Sequence, residues 1–279
     1  MTPPEKNAPP PRAYRRVLTI AGSDSGGGAG IQADLKTFAA LGCYGMSAIT
    51  ALTAQNTQSV SAIHPVPPEF AAAQIAAVLE DIGADAVKIG MLYSADLIRV
   101  VADQLKRFQT GRIVLDPVMV AQSGDRLLRD DAVGAVIDHL MPLADVVTPN
   151  IPEAEVLLGR TLRGREELPA AARALARHGS RSVLLKGGHL ASGDSSDLLY
   201  LASEQRCVEL AAERVESRNT HGTGCTLSSA IAAHLARGCG IEEAVRRAKD
   251  YIHRAIAAGA GYRLGRGHGP VHHFFQFWK

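Results

Sequence analysis

The sequence lacks any imbalance of charge: 30 Lys and Arg stand against 28 Asp and Glu, the two signs are interspersed, and the formal net charge is +2. This excludes the electrostatic footprint by which proteins hold nucleic acid or anionic membranes, and favours a small-molecule partner. Cysteine is scarce. Cys43, Cys207, Cys225 and Cys239 show neither the paired spacing of metal ligands nor a disulfide framework, which points to a reducing cytoplasm. No apolar run reaches the length of a signal or membrane-spanning segment, and internal repeats are absent. Aromatic residues make up only 5%, but 46% hydrophobic and 21% charged residues form an ordinary globular composition. The exception is the start, where Pro3, Pro4, Pro9, Pro10 and Pro11 lie among charges, so residues 1–15 are expected to be a solvated, flexible tail.

Glycine, by contrast, is plentiful at 27 residues, and from Val17 onward apolar runs alternate with helical periodicity. That pattern predicts a single α/β domain over residues 16–279, with a mostly parallel central sheet and helices on both faces. Strands are expected at Val17–Gly22, Met46–Ala54, Ala86–Met91, Ile113–Val118, Val146–Pro149, Ser182–Gly187 and Leu198–Ala202. Helical spacing appears in Ile31/Leu35/Phe38, Ala71/Ile75/Leu79, Leu97/Val101/Leu105 and Leu227/Ile231/Leu235. Leu198–Leu210 has two short runs with no helix between them, which predicts a hairpin at the sheet edge.

In such sheets ligands sit at the carboxyl ends of the strands, and the polar and glycine clusters fall there. The first, residues 22–30, is a glycine-rich strand-to-helix turn whose spacing satisfies neither the dinucleotide fingerprint nor the P-loop. Asp34, one turn into the following helix, reads either as a ligand contact or as a solvated charge. A second turn, Asn219–Thr226, opens an apolar helix, where unpaired N–H groups and the helix dipole make an anion hole. Cys225 lies in that first turn. Its position should favour the thiolate and so a base, the alternative being a small buried hydrophobe.

The strings AGSDSGGGAGIQADLKTF (21–38), KIGML (88–92), LDPVM (115–119), TPNIPEAEVLLG (148–159), LLKGGH (184–189), NTHGTGCTLSSAIAAHLA (219–236) and GHGPVHHF (267–274) carry a resemblance. From about Arg16 to the C-terminus the chain resembles the hydroxymethylpyrimidine/phosphomethylpyrimidine kinases of the ribokinase-like superfamily, and HGTGCT, with cysteine where related sugar kinases carry aspartate, is the most discriminating match. The resemblance implies ATP-dependent phosphorylation of 4-amino-5-hydroxymethyl-2-methylpyrimidine and then of its monophosphate, in thiamine biosynthesis. It implies Cys225 as base, the backbone of Gly222, Thr223 and Gly224 as anion hole, and Lys186 near the ATP phosphates. Asp116, Asn150 and Glu153 would organise ATP and Mg²⁺, the metal arriving with the nucleotide near Glu153 and not at a dedicated site. Gly22, Asp34, Gln55 and Met91 would line the pyrimidine pocket. A Gln amide supplies donor and acceptor in one plane, and is permissive enough to keep pyridoxal or pyridoxine kinase activity as an alternative. The resemblance also implies a homodimer. His189, His221, His272 and His273 belong to the matched strings and are read as structural or hydrogen-bonded histidines.

Two other readings compete. A dinucleotide oxidoreductase requires an acidic residue at the end of the second strand, where Gln55 stands. A non-catalytic vitamin-binding sensor would be favoured by loss of Cys225, Lys186 or the 222–224 turn, all of which are present.

Overall fold

The computed structural model describes residues 13–121, 124, 127–187 and 196–278. Most of the expected tail, and His189, lie outside the described residues. Among the described residues nine strands form one sheet: β1 (Arg16–Asp24), β2 (Tyr44–Gln55), β3 (Val60–Pro65), β4 (Ala86–Ile89), β5 (Ile113–Leu115), β6 (Val146–Val147), β7 (Ser182–Leu185), β8 (Asp197–Leu201) and β9 (Arg206–Leu210), in the order β3-β2-β1-β4-β5-β6-β7-β8-β9. The run from β2 to β7 is parallel, while β3 at one edge and the β8–β9 hairpin at the other are antiparallel.

The central strands β4 and β5 are buried at every position, as parallel strands covered on both faces must be. One face carries α2 (Pro68–Asp81), α3 (Ala95–Arg107), an irregular helical stretch over 130–143, α4 (Ile151–Leu158) and α5 (Leu168–Ala176). The opposite face carries α1 (Gly30–Ala40), α6 (Thr223–Ala236) and α7 (Ile241–Gly259). Leu18 and Ile20 of β1 pack into the first core and Val17 into the second, following the two-residue alternation of a strand. Helix α6 is buried from Thr226 to Ala236 and is built from small and aliphatic residues, which lets it lie across the centre of the sheet with its first turn at the carboxyl ends of the strands.

The strands expected to reach Met91, Val118, Pro149 and Gly187 end at Ile89, Leu115, Val147 and Leu185, and two further features depart from the sequence reading. Strand β3 is absent from it because Ser59–Pro65 leaves most of its side chains to solvent, so an edge strand looks like loop. An Asx turn at Asn56, whose Oδ1 accepts from Gln58 and Ser59 N–H at 2.8 and 3.1 Å, folds β3 back on β2. Strand β1 also runs past Gly22 to Asp24, through a register shift against β2 between Ala21 and Ser23.

Candidate active site

Asp24, the last residue of β1, organises the first glycine-rich turn. Its carboxylate accepts from the N–H groups of Gly26 at 2.8 Å, Gly28 at 3.1 Å and Ala29 at 2.8 Å, and pairs with His221 Nε2 at 2.8 Å. Although burial opposes it, the bonds from His221 and Ala29 hold this carboxyl below the usual carboxylate range. The two glycine turns are thereby locked face to face. A Cβ on Gly222, whose φ is 78°, would overlap the Gly28 carbonyl, so this close approach requires glycine. A third segment closes over them: the His221 N–H donates to Gly269 O at 3.0 Å, and Asn219 Nδ2 donates to the carbonyls of Gly259 and Tyr262 at 2.6 Å each. The matched string 267–274 therefore shapes the second turn. Within it, buried His273 meets the Thr226 hydroxyl at 3.0 Å, and His272 packs against the Tyr262 and Trp278 rings.

At the start of α6 the Thr223 N–H returns to Thr220 O at 3.2 Å. The N–H groups of Gly224 and Cys225 have no backbone acceptor among the described residues, as the first turn of a helix requires. Across from them lies a buried cluster. Lys186, just past β7, donates to Asp116 Oδ1 at 2.9 Å and stands 3.7 Å from Glu153 Oε2. The same Asp116 oxygen accepts from Thr148 at 3.0 Å, and its partner oxygen accepts from Ser228 of α6 at 3.2 Å. A Cβ on Gly224 would lie 3.4 Å from Lys186 Nζ, so this turn opens directly onto that ammonium.

Burial alone would discharge Lys186, but Asp116 and Glu153 outweigh it and tighten its hold on the proton. Asp116 is kept below the ordinary carboxylate range, against the cost of burial, by Lys186 and Lys88. Glu153 is pushed up to about 7 by burial and by Asp116, with Lys186 opposing. Asn150 and Glu153, expected to hold metal and phosphate, are first of all a capping box for α4: Asn150 Oδ1 accepts from Glu153 N–H and Glu153 Oε2 accepts from Asn150 N–H, both at 2.8 Å.

Cys225 corrects an expectation. Burial pushes its thiol up to about 11; Asp34 and Asp116 add to this, while Lys88 and the N–H of Gly30 work against it. Its helix N-terminus does not win. The thiol, not the thiolate, is the resting form.

Of the pocket residues, Gly22 and Met91 are brought together, since a Cβ on Gly22 would lie 2.7 Å from the Met91 sulfur. Met91 joins Ala51 and Leu127 in a small apolar cluster, with Val118 and Ile63 alongside, apart from the two main cores. Gln55 is half-buried at the end of β2; its Oε1 accepts from Thr53 at 3.0 Å, and its main chain is tied to Ser25 of the first turn. Asp34 is a second correction. It is fully buried, with Lys88 on both oxygens at 3.0 and 2.9 Å and the hydroxyls of Thr19 and Ser229 at 2.6 Å each, so it presents no oxygen to a ligand. The sequence reading gave no role to Lys88, Ser228, Ser229 or the Asp24–His221 pair. For Lys88 the signal was a lysine inside the otherwise apolar run Ala86–Ile89.

The residues fit a nucleotide, because a glycine turn whose Gly224 and Cys225 N–H groups have no backbone acceptor among the described residues faces the partly exposed ammonium of Lys186. They fit magnesium only as a partner of the phosphates, since both Asp116 oxygens are already engaged and, among the described residues, Glu153 is the one further carboxylate in the cluster. Fold and site together define a small-molecule kinase of the ribokinase-like class. Within that class the chain belongs to the phosphomethylpyrimidine kinase family, whose family model matches residues 24–272. It is 55% identical to the hydroxymethylpyrimidine/phosphomethylpyrimidine kinase of Rhizobium meliloti (strain 1021), covering 94% of this chain and 98% of that one. Among solved structures it resembles a phosphomethylpyrimidine kinase from Clostridium difficile 630, at 45% identity and a TM-score of 0.76 over 86% of this chain and 99% of that one. It also resembles the pyridoxal kinase of Staphylococcus aureus in complex with AMP-PCP and pyridoxal, at 36% identity and a TM-score of 0.87 over 95% of this chain and 96% of that one.

Proposed function

We propose that this kinase transfers the γ-phosphoryl group of ATP to the hydroxymethyl oxygen of 4-amino-5-hydroxymethyl-2-methylpyrimidine, and then phosphorylates the resulting monophosphate to the pyrophosphate ester used in thiamine biosynthesis. The observation that carries this is the meeting of the Gly222–Gly224 turn, Cys225 and the Lys186–Asp116–Glu153 cluster at one end of the sheet, beside the apolar wall of Gly22 and Met91. Phosphoryl transfer asks chiefly for positioning and charge stabilisation. The N–H groups of the turn and the Lys186 ammonium take up charge on the moving phosphoryl, and Asp116 fixes Lys186 in place. Magnesium bound with the nucleotide would neutralise phosphate oxygens near Glu153. Cys225 takes the proton of the substrate hydroxyl, and Gln55 offers its amide to the ring edge.

One set of these parts serves both steps. By family resemblance residues 16–279 act as one catalytic domain of a cytoplasmic homodimer, which sedimentation of the purified protein tests. Pyridoxal is the competing substrate, because the Gln55 amide presents donor and acceptor alike. The test is ATP consumption with the pyrimidine alcohol, its monophosphate, pyridoxal and ribose in parallel. Turnover of both pyrimidines above pyridoxal supports the reading, and preference for pyridoxal overturns it.

A further inference from the structure

Lys88 stands in β4, and its ammonium is wholly enclosed. A buried ion pair is poor stabilisation, because dehydrating two charges costs about what their attraction returns and an apolar pair would serve a core as well. What surrounds this pair accounts for it better. Asp34, which fixes Lys88, also accepts the hydroxyl of Ser229, and Ser229 lies one turn along α6 from Cys225 on the same face. The Cys225 sulfur in turn faces the N–H of Gly30, first residue of α1, the helix that carries Asp34. A Cβ on Gly90 would lie 2.7 Å from Lys88 Nζ, so the bare glycine leaves room for the ammonium at the carboxyl end of the sheet, beneath the site.

We infer that Lys88 is a positioning residue for phosphoryl transfer: its buried ammonium, held in place by Asp34, is the counter-charge toward which the Cys225 thiol ionises. This rests on Cys225 being the base. The charged groups facing Cys225 are Lys88 from β4, Lys186 from beyond β7, Asp34 from α1 and Asp116 from beyond β5. Lys186 is shared between Asp116 and Glu153, whereas Lys88 is bonded to a single carboxylate. In the cycle the thiol first yields its proton to solvent. The thiolate then takes the proton of the hydroxymethyl group as its oxygen bonds to the γ-phosphorus and the bond to the departing ADP oxygen breaks. The thiol is restored, and one proton is released per turnover.

The test is the pH dependence of Cys225 alkylation by iodoacetamide in the intact protein, followed by mass spectrometry of the Cys225 peptide. Replacing both members of the pair, Lys88→Met with Asp34→Asn, leaves neither charge uncompensated and should move the ionisation midpoint up by about one pH unit or more, slowing alkylation about tenfold at a fixed pH. Asp34→Asn alone leaves Lys88 with the thiolate as its nearest counter-ion and should move the midpoint down. Opposite shifts support the inference, because a merely structural role would move both the same way or neither. If the paired variant does not fold, Asp34→Asn decides, and an unchanged or raised midpoint overturns the inference. Kinetics of Cys225→Ala on the alcohol separate the two readings: unmoved midpoints with a crippled Cys225→Ala remove Lys88 and keep the base, whereas a fully active Cys225→Ala removes both.

Discussion

Burial pushes the Cys225 thiol up to about 11, so the neutral thiol dominates at neutral pH. Phosphorylation of the alcohol, which needs the base, should therefore accelerate as pH rises above neutral. The monophosphate brings an oxygen already largely deprotonated, its second pKa being about 6, and its phosphorylation should be flatter in pH. Cys225→Ala should lower kcat on the alcohol by about 10²–10⁴ and damage the monophosphate step less, which kcat measured on each purified substrate checks. Lys186→Met should damage both steps, since each moves a γ-phosphoryl group across the same ammonium. Impairment of one step only would argue against a shared site. Gly22→Ala would press a methyl to within 2.7 Å of the Met91 sulfur and force that side chain into the pocket. It should raise KM for the pyrimidine, consistent with about 1–3 kcal/mol of overpacking, and leave KM for ATP in place.

Helix α4 depends on its first turn, where Asn150 and Glu153 satisfy each other's N–H groups at the rim of the site. Asn150→Ala should cost about 1 kcal/mol of stability in urea unfolding, because the Glu153 N–H loses its acceptor, while the bond from the backbone N–H of residue 150 to Glu153 Oε2 and that of Lys186 to Asp116 remain. Helix α6 is held differently, by Ser228 to Asp116 and Ser229 to Asp34, which tie one helix to two strands through their partners. The start of α6 is the element of the site most legible in sequence, because glycines that open an apolar helix leave the N–H groups of its first turn without helical acceptors. The alternation of strands and helices was equally plain in the buried runs. Three things stayed hidden for physical reasons. Strand β3 shows too little apolar alternation to separate it from loop. The fate of Asp34 was decided by Lys88, 54 residues away, and no local pattern reports such a pairing. The charge state of Cys225 does not follow from the sequence, because a helix terminus is visible there whereas burial beside two aspartates is not.

The stability of the whole molecule should carry the mark of Glu153. Its carboxyl titrates near 4.5 when exposed and is pushed up to about 7 in the fold by burial, Asp116 adding to the effect. The folded state thus holds this proton more tightly, so the contribution is full below the unfolded value and is lost as pH rises through about 7. Glu153→Gln keeps the cap and removes the titration. From about pH 5 to about pH 8 the variant should gain roughly 1–3 kcal/mol on the wild type in urea unfolding, and parallel curves would refute this. His234 and His273, pushed down to about 4 and about 3 by burial, act in the opposite sense but are common to both proteins. The clasp around His221 has a consequence at this scale too. That residue joins Asp24, 197 positions earlier in the chain, to Gly269 in the last turn of the sequence. Closing a loop of that length costs conformational entropy that the clasp must offset. The shape of the 219–222 turn is thus set jointly by the first strand and by the 259–269 segment, and a chain that lost the latter would lose the partners of Asn219 Nδ2 and the His221 N–H together.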